Sequence, residues 1–185
     1  MSDGPHLTLW TIGHSTRPIE EFIALLQAHT IAKLIDVRTV PRSRHNPQFN
    51  TDALAQSLRR SGIRYRHMPA LGGLRKPKKD SRNTGWRNES FRGYADYMLT
   101  EEFQQTLEEL MAHSTGVKTA VMCAEAVPWR CHRSLIADAL VSRGWEVRHI
   151  MTNTKADRHR LTSFAVVENG RLSYPDPDAA PRLFD

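Results

Sequence analysis

Alternation between short apolar runs and stretches of helical spacing constrains this chain more than any other feature of its sequence. Leu7–Ile12 (LTLWTI) reads as a strand ending at Gly13, after which Ile19, Phe22, Ile23 and Leu26 repeat at the helical period. Ser15 and Thr16 are candidate caps for that helix, with Pro18 early and Glu20 and Glu21 in the first turn. Lys33–Val37 reads as a second strand, Thr51–Arg60 as a helix closed by Gly62, and Ile63–Met68 as a third strand. Tyr94–Leu110 reads as a helix broken near Thr100, where Glu101 and Glu102 suit a new first turn. Val117–Met122 is the fourth strand, His132–Arg143 a helix closed by Gly144, and Glu146–Ile150 the fifth strand. Phe164–Glu168 and Arg171–Tyr174 flank Asn169-Gly170, the signature of a hairpin with a type I′ turn.

Strand–helix repetition of this kind makes a mostly parallel sheet covered by helices on both faces. The expected fold is therefore α/β, a single three-layer domain over residues 1–174 with a small C-terminal hairpin and a loose tail over 175–185. A chain of 185 residues with 39% hydrophobic content can build one such core. No apolar run approaches the roughly 18 residues a membrane helix needs. The start, Met-Ser-Asp-Gly-Pro-His, lacks the layout of a signal peptide, and two cysteines are too few for a disulfide framework. The expectation is a cytoplasmic protein without a membrane partner.

In an open parallel sheet, ligands bind beyond the carboxyl ends of the strands. Those ends carry Gly13-His14-Ser15, Asp36-Val37-Arg38, His67 and Cys123-Ala124-Glu125, so the topology gathers all four sets at one edge. Two long polar segments, 38–50 and 69–93, leave from the same edge. The segment from Cys123 to Arg133 runs from a strand end to a helix start, where backbone N–H groups attract anions and Arg133 adds a bidentate donor. A thiol there is a candidate nucleophile, and Glu125 a candidate acid, base or nucleophile. Against this stands the ordinary behaviour of free cysteine as a small buried hydrophobe. Cys131 either sits at the helix cap or serves as a resolving thiol if the two sulfurs approach.

Familiar loops do not fit this segment. A cysteine-phosphatase loop places Arg six positions after Cys, whereas Arg130 follows Cys123 by seven. A rhodanese-like loop shares the strand–Cys–loop–helix order but is shorter. Zinc ligands usually pair at closer spacing than Cys123 and Cys131. No glycine-rich nucleotide fingerprint, P-loop or nucleophile-elbow serine occurs. Asp36 and Arg38 share a side of their strand and either orient a ligand or form a structural ion pair. Arg42, Arg44 and His45 sit in a loop suited to phosphate contacts, while each taken singly reads as solvated surface.

Charge narrows the partners. The net charge is +6, and residues 75–92 hold seven basic side chains against two acidic ones, leaving +5 in that segment. Such an excess favours nucleic acid or phosphorylated small molecules. Trp86 and Phe91 lie among Lys76, Lys78, Lys79 and Arg87, a pattern that suits single-stranded nucleic acid or an ordinary solvated loop.

Several motifs together resemble the bacterial family known as domain of unknown function 488. These are Gly13-His14-Ser15, Asp36-Val37-Arg38 with Pro41 and Ser43-Arg44, Gly72-Gly73, Cys123-Ala124-Glu125 with Cys131-His132-Arg133-Ser134, and His159-Arg160-Leu161. The resemblance implies a single compact α/β domain and a site at His14, Ser15, Asp36, Arg38, Arg44, Cys123, Glu125, Cys131, His132 and Arg133. It supplies no reaction, substrate or cofactor. Combined with the strand-end argument, it gives His14, Cys123 and Glu125 as catalytic candidates. Ser15, Asp36, Arg38, Arg44, His132 and Arg133 are the ligand or phosphate candidates, with no metal site expected. Three readings stay open: an enzyme acting on a nucleotide or nucleic acid, a non-catalytic nucleic-acid-binding module using the 75–92 loop, and a thiol/histidine metal or redox site. Cofactor and oligomeric state are left undetermined.

Overall fold

The computed structural model describes residues 7–179. Its elements run β1 (Thr8–Gly13), α1 (Ile19–Ala28), β2 (Lys33–Asp36), α2 (Thr51–Arg60), β3 (Arg64–His67), α3 (Glu89–Met98), α4 (Glu101–Ser114), β4 (Thr119–Cys123), α5 (Arg133–Val141) and β5 (Glu146–Ile150). Three short strands follow: β6 (Ala156–Arg158), β7 (Val166–Glu168) and β8 (Arg171–Ser173). The first five strands are parallel and form, with β6, one sheet of order β3-β2-β4-β1-β5-β6. The class is α/β as the alternation predicts, and β7–β8 form the expected small antiparallel hairpin.

Side-chain alternation along the buried strands splits the interior in two. From β4, Ala120 and Met122 face a core built with Phe22, Leu25 and Leu26 of α1 and Leu54 and Leu58 of α2. Val121 and Cys123 face the opposite core, made with α3, α4 and α5 through Tyr94, Phe103, Leu107, Leu135, Ile136 and Leu140. All five residues of β4 are buried, as a central parallel strand requires. The register pairs Gly13 with Cys123, Asp36 with Met122, and Asp36 with His67, so the carboxyl ends of four strands finish side by side.

Several local expectations need correction. Ser15 and Thr16 do not cap α1: Ser15 sits at φ 50 in the turn, Pro18 is the N-cap, and no side chain bonds there. The helix expected from Tyr94 begins earlier, at Glu89, because the Asn88 carboxamide accepts the N–H groups of Ser90 (2.9 Å) and Phe91 (3.2 Å). Its break is where expected, with Thr100 capping α4 through the N–H of Phe103. β6 was not foreseen; three residues, Ala156-Asp157-Arg158, pair antiparallel with β5 and close the sheet edge. The hairpin turn carries φ 50 at Asn169 and φ 74 at Gly170, the two positive values a type I′ turn demands. The Met1–His6 start, and the expected loose tail beyond Ala179, lie outside the described residues. Among the described residues no helix is long and apolar enough to cross a membrane.

Candidate functional site

β1 and β4 lie side by side, yet their chains leave in opposite directions. From β1 the chain passes to α1 on one face; from β4 it passes to α5 on the other. Such a divergence opens a crevice at the carboxyl edge. Here the backbone pairing continues past the strands, with His14 N–H donating to Cys123 O (3.0 Å) and Ser15 N–H to Ala124 O (2.9 Å). Gly13 makes this approach feasible: a Cβ there would stand 1.7 Å from the Glu125 carbonyl oxygen and 2.8 Å from Arg133 Nη1. Beside this junction lies a cavity of about 430 Å³ walled by His14, Ser15, Thr16, Arg38, Arg42 and Ser43 on one side and by 124–126 on the other.

Arg38 reaches this cavity already oriented. Asp36, fully buried, accepts its Nε (2.9 Å) and Nη2 (2.7 Å) in a bidentate pair, and the Phe49 carbonyl takes a second bond from Nη2. Tyr65 donates its hydroxyl to Asp36 Oδ2 at 2.8 Å, the oxygen that also accepts Arg38 Nη2, and His67 Nε2 lies 2.7 Å from the Arg38 carbonyl. Nη1 is left to face His14 Nε2 at 3.4 Å. His14 is 3% exposed, stacked on Phe49 with ring centroids 4.2 Å apart. Burial, with help from the Arg38 charge, lowers its pKa to about 4, so the ring is neutral. The Ser15 carbonyl, 2.7 Å from Nδ1, can only accept; the proton therefore sits on Nδ1 and a lone pair on Nε2.

Behind the 124–126 wall lies a second arrangement. Cys123 and Cys131 are both buried free thiols, with Cys131 Sγ donating to Cys123 Sγ at 2.7 Å. The 1%-exposed Arg133 guanidinium donates from Nη1 to Cys123 Sγ (2.7 Å) and to the Glu125 carbonyl (2.6 Å), and from Nη2 to the Ala126 carbonyl (3.1 Å). Burial opposes ionisation of Cys123, but the Cys131 hydrogen bond and the Arg133 charge outweigh it and hold that thiol below its ordinary value. Burial, then the neighbouring Cys123 sulfur, push Cys131 well up.

The predicted residues thus fall into separate places. His14, Ser15, Arg38 and Glu125 line the cavity, with Asp36 as the anchor of Arg38. Cys123, Cys131 and Arg133 lie behind its wall. Arg44 is exposed and lies outside the cavity lining, where Arg42 takes the place foreseen for it. His132 turns away and packs against Tyr94 at 5.0 Å, with burial lowering its pKa to about 4. In the basic segment, Lys76, Lys78, Lys79 and Arg87 are exposed. Trp86 instead packs inward, stacked on Phe91 (4.9 Å) and edge-on to Phe164. Asp96 of α3 holds the segment in course, accepting Lys78 N–H (2.8 Å), Ser81 Oγ (2.6 Å) and Asn83 Nδ2 (2.7 Å).

Sequence reasoning missed one buried polar chain. Asp138 of α5 accepts His159 Nε2 (2.7 Å), Thr162 N–H and hydroxyl, and the Tyr174 hydroxyl (2.8 Å). His159 Nδ1 meets His149 Nε2 at 2.9 Å, and His149 Nδ1 meets Thr11 Oγ1 at 2.6 Å. Because the Asp138 carboxylate accepts, His159 Nε2 carries the proton it donates. Burial lowers His149 to about 3, the His159 and Arg133 charges acting with it. Every ring nitrogen is used, so the chain ties β1, β5, α5 and the C-terminal segment together. Its sequence signals, an Asp inside an otherwise apolar helix face and the His159-Arg160-Leu161 motif, had no spacing to link them. Among the described residues no group of three or more His, Cys, Asp or Glu is placed to hold a metal ion.

The fold and the site define an α/β protein with a doubly wound sheet and a polar crevice at the divergence of β1 and β4. The family model for the domain of unknown function DUF488 matches residues 18–140, and the chain belongs to that family. No curated protein and no solved structure matches the chain.

Proposed function

We propose that this protein is an enzyme acting on a phosphate-bearing ligand, a nucleotide or a nucleic-acid end, bound in the cavity between β1 and β4. The observation that carries this reading is the neutral His14 ring, its Nε2 lying 3.4 Å from Nη1 of an Arg38 fixed by Asp36. Arg38 and Arg42 would hold the anion, since guanidinium groups match phosphate oxygens in geometry and charge. His14 Nε2 would accept a proton from the attacking group and Glu125, on the opposite wall, would transfer one to or from the ligand. Cys123 would act from behind the wall, its thiol sharing the Arg133 guanidinium with the Glu125 carbonyl.

Fluorescence anisotropy with labelled single- and double-stranded DNA and RNA over a salt series, with free nucleotides as competitors and product analysis alongside, tests this. Binding displaced by nucleotides and weakened about tenfold in Arg42→Ala, the loss of one charged contact, is the expected outcome. Turnover should fall in His14→Gln and Glu125→Gln. Absence of binding at moderate salt, or binding and turnover indifferent to all three substitutions, overturns the reading. The exposed lysines 76, 78 and 79 favour a second reading, a binding module. Its mark would be salt-sensitive binding lost on charge reversal at these lysines but not displaced by nucleotides.

A further inference from the structure

The loop between β4 and α5 brings the chain's two cysteines together across seven intervening residues, and the cavity chemistry above does not require the second one. From the 2.7 Å approach of Cys123 Sγ and Cys131 Sγ, and from the Arg133 guanidinium bonded to only the first of them, we infer that the two thiols form a reversible dithiol/disulfide couple. Disulfide formation needs sulfurs within about 2.05 Å and closely spaced backbones, so this pair has only a fraction of an ångström to travel. A buried cysteine acting only as a small hydrophobe gains nothing from such a neighbour.

The asymmetry assigns the roles. Cys123 receives the Cys131 S–H and the Arg133 N–H, which favours its thiolate; Cys131 has burial and the neighbouring sulfur against its ionisation. Cys123 is therefore the attacking sulfur and Cys131 the resolving one. With hydrogen peroxide as oxidant, the Cys123 thiolate attacks one oxygen and the O–O bond breaks. Cys123 becomes a sulfenic acid, and the departing hydroxide takes up the proton Cys123 had lost, giving water. Cys131 then attacks the sulfenic sulfur; its proton leaves with the expelled hydroxyl as a second water. Two thiols and one peroxide thus become one disulfide and two waters. Exposures of 2% and 5% restrict the oxidant to a small molecule rather than a protein disulfide.

The full-length reduced protein, treated with stoichiometric hydrogen peroxide and then alkylated after unfolding, gives the test by intact mass and peptide mapping. The expected result is loss of both alkylatable thiols within one chain, a Cys123–Cys131 linked peptide, and recovery of both thiols with a dithiol reductant. Cys131→Ser should instead drive Cys123 to the sulfinic or sulfonic acid, while Cys123→Ser should leave Cys131 alkylatable; circular dichroism confirms that each variant is folded. The wild-type experiment stands alone if a variant does not fold. Two alkylatable thiols after oxidation, a linkage between chains, or sulfinic acid on Cys123 of the wild type would each overturn the proposal. None of these readouts depends on ligand or turnover, so the couple and the proposed activity fail separately.

Discussion

Three histidines, the buried His14 and His149 and the partly buried His132, should make the protein acid-sensitive in a narrow window. Burial is the first cause in each case, aided by Arg38 at His14, by Arg133 at His132, and by His159 and Arg133 at His149. Their folded values are about 4, about 4 and about 3, against 6.5 for the unfolded chain. The sign follows from proton counting: between these limits the unfolded chain binds more protons than the native one. The stability is fully present above the unfolded value and is lost as pH falls toward the folded ones. Integrated from pH 7 to pH 5, each histidine accounts for roughly 2 kcal/mol, on the order of 5 kcal/mol for the three. That is comparable with the whole stability of many domains, which is about 5–15 kcal/mol. Urea unfolding at half-unit pH steps, followed by circular dichroism, measures it. The slope near pH 5.3 should approach three protons, about 4 kcal/mol per pH unit, and His132→Gln should remove one proton from it. A stability profile flat from pH 7 to pH 5 would refute the burial argument.

Three further substitutions probe the junction and its surroundings. Gly13→Ala places a Cβ 1.7 Å from the Glu125 carbonyl oxygen, so a loss of about 3 kcal/mol is expected; a melting temperature unchanged from wild type would show that the wall moves freely. Arg133→Met strips the Glu125 and Ala126 carbonyls of their donor and should cost roughly 3–5 kcal/mol. The same variant should raise the pH at which Cys123 is alkylated, and an unchanged alkylation profile would deny Arg133 its role at the thiol. Asp96→Ala removes the acceptor of three bonds that hold the basic segment. Trypsin should then cut at Lys76, Lys78 or Lys79 well before the core unfolds, and equal cleavage rates in variant and wild type would count against that anchoring.

The strand–helix order was legible because β4, with all five residues buried, and α2, with its buried Leu54 and Leu58, carry their periods openly. The gathering of His14, Asp36, Arg38 and Glu125 at one edge followed from strand ends alone, since parallel strands align their carboxyl termini. Orientation beyond the strands was not legible. Whether the Arg133 side chain points into the cavity or back at Cys123 depends on carbonyls two and three residues past β4, which no spacing reveals. The Trp86 ring looked like a stacking platform because its neighbours in sequence are basic. Its neighbours in space, Phe91, Phe164 and Tyr174, come partly from the distant C-terminal segment. Asp138 was hidden for the same reason: its four donors arrive from residues 159 to 174.

The position of β1 at the heart of the sheet carries a consequence for how the chain reaches this structure. Its two neighbours are β4 and β5, so Gly13 waits for Cys123 and Thr8 for Glu146. β2 and β3, by contrast, pair across a single intervening helix. Local contacts form fastest, because distant ones must first close a long loop. During synthesis β1 therefore waits longer than β2 or β3 for its hydrogen-bonded partners. For most of the chain's emergence from the ribosome, its apolar Leu7–Ile12 run stays without the partners that bury it.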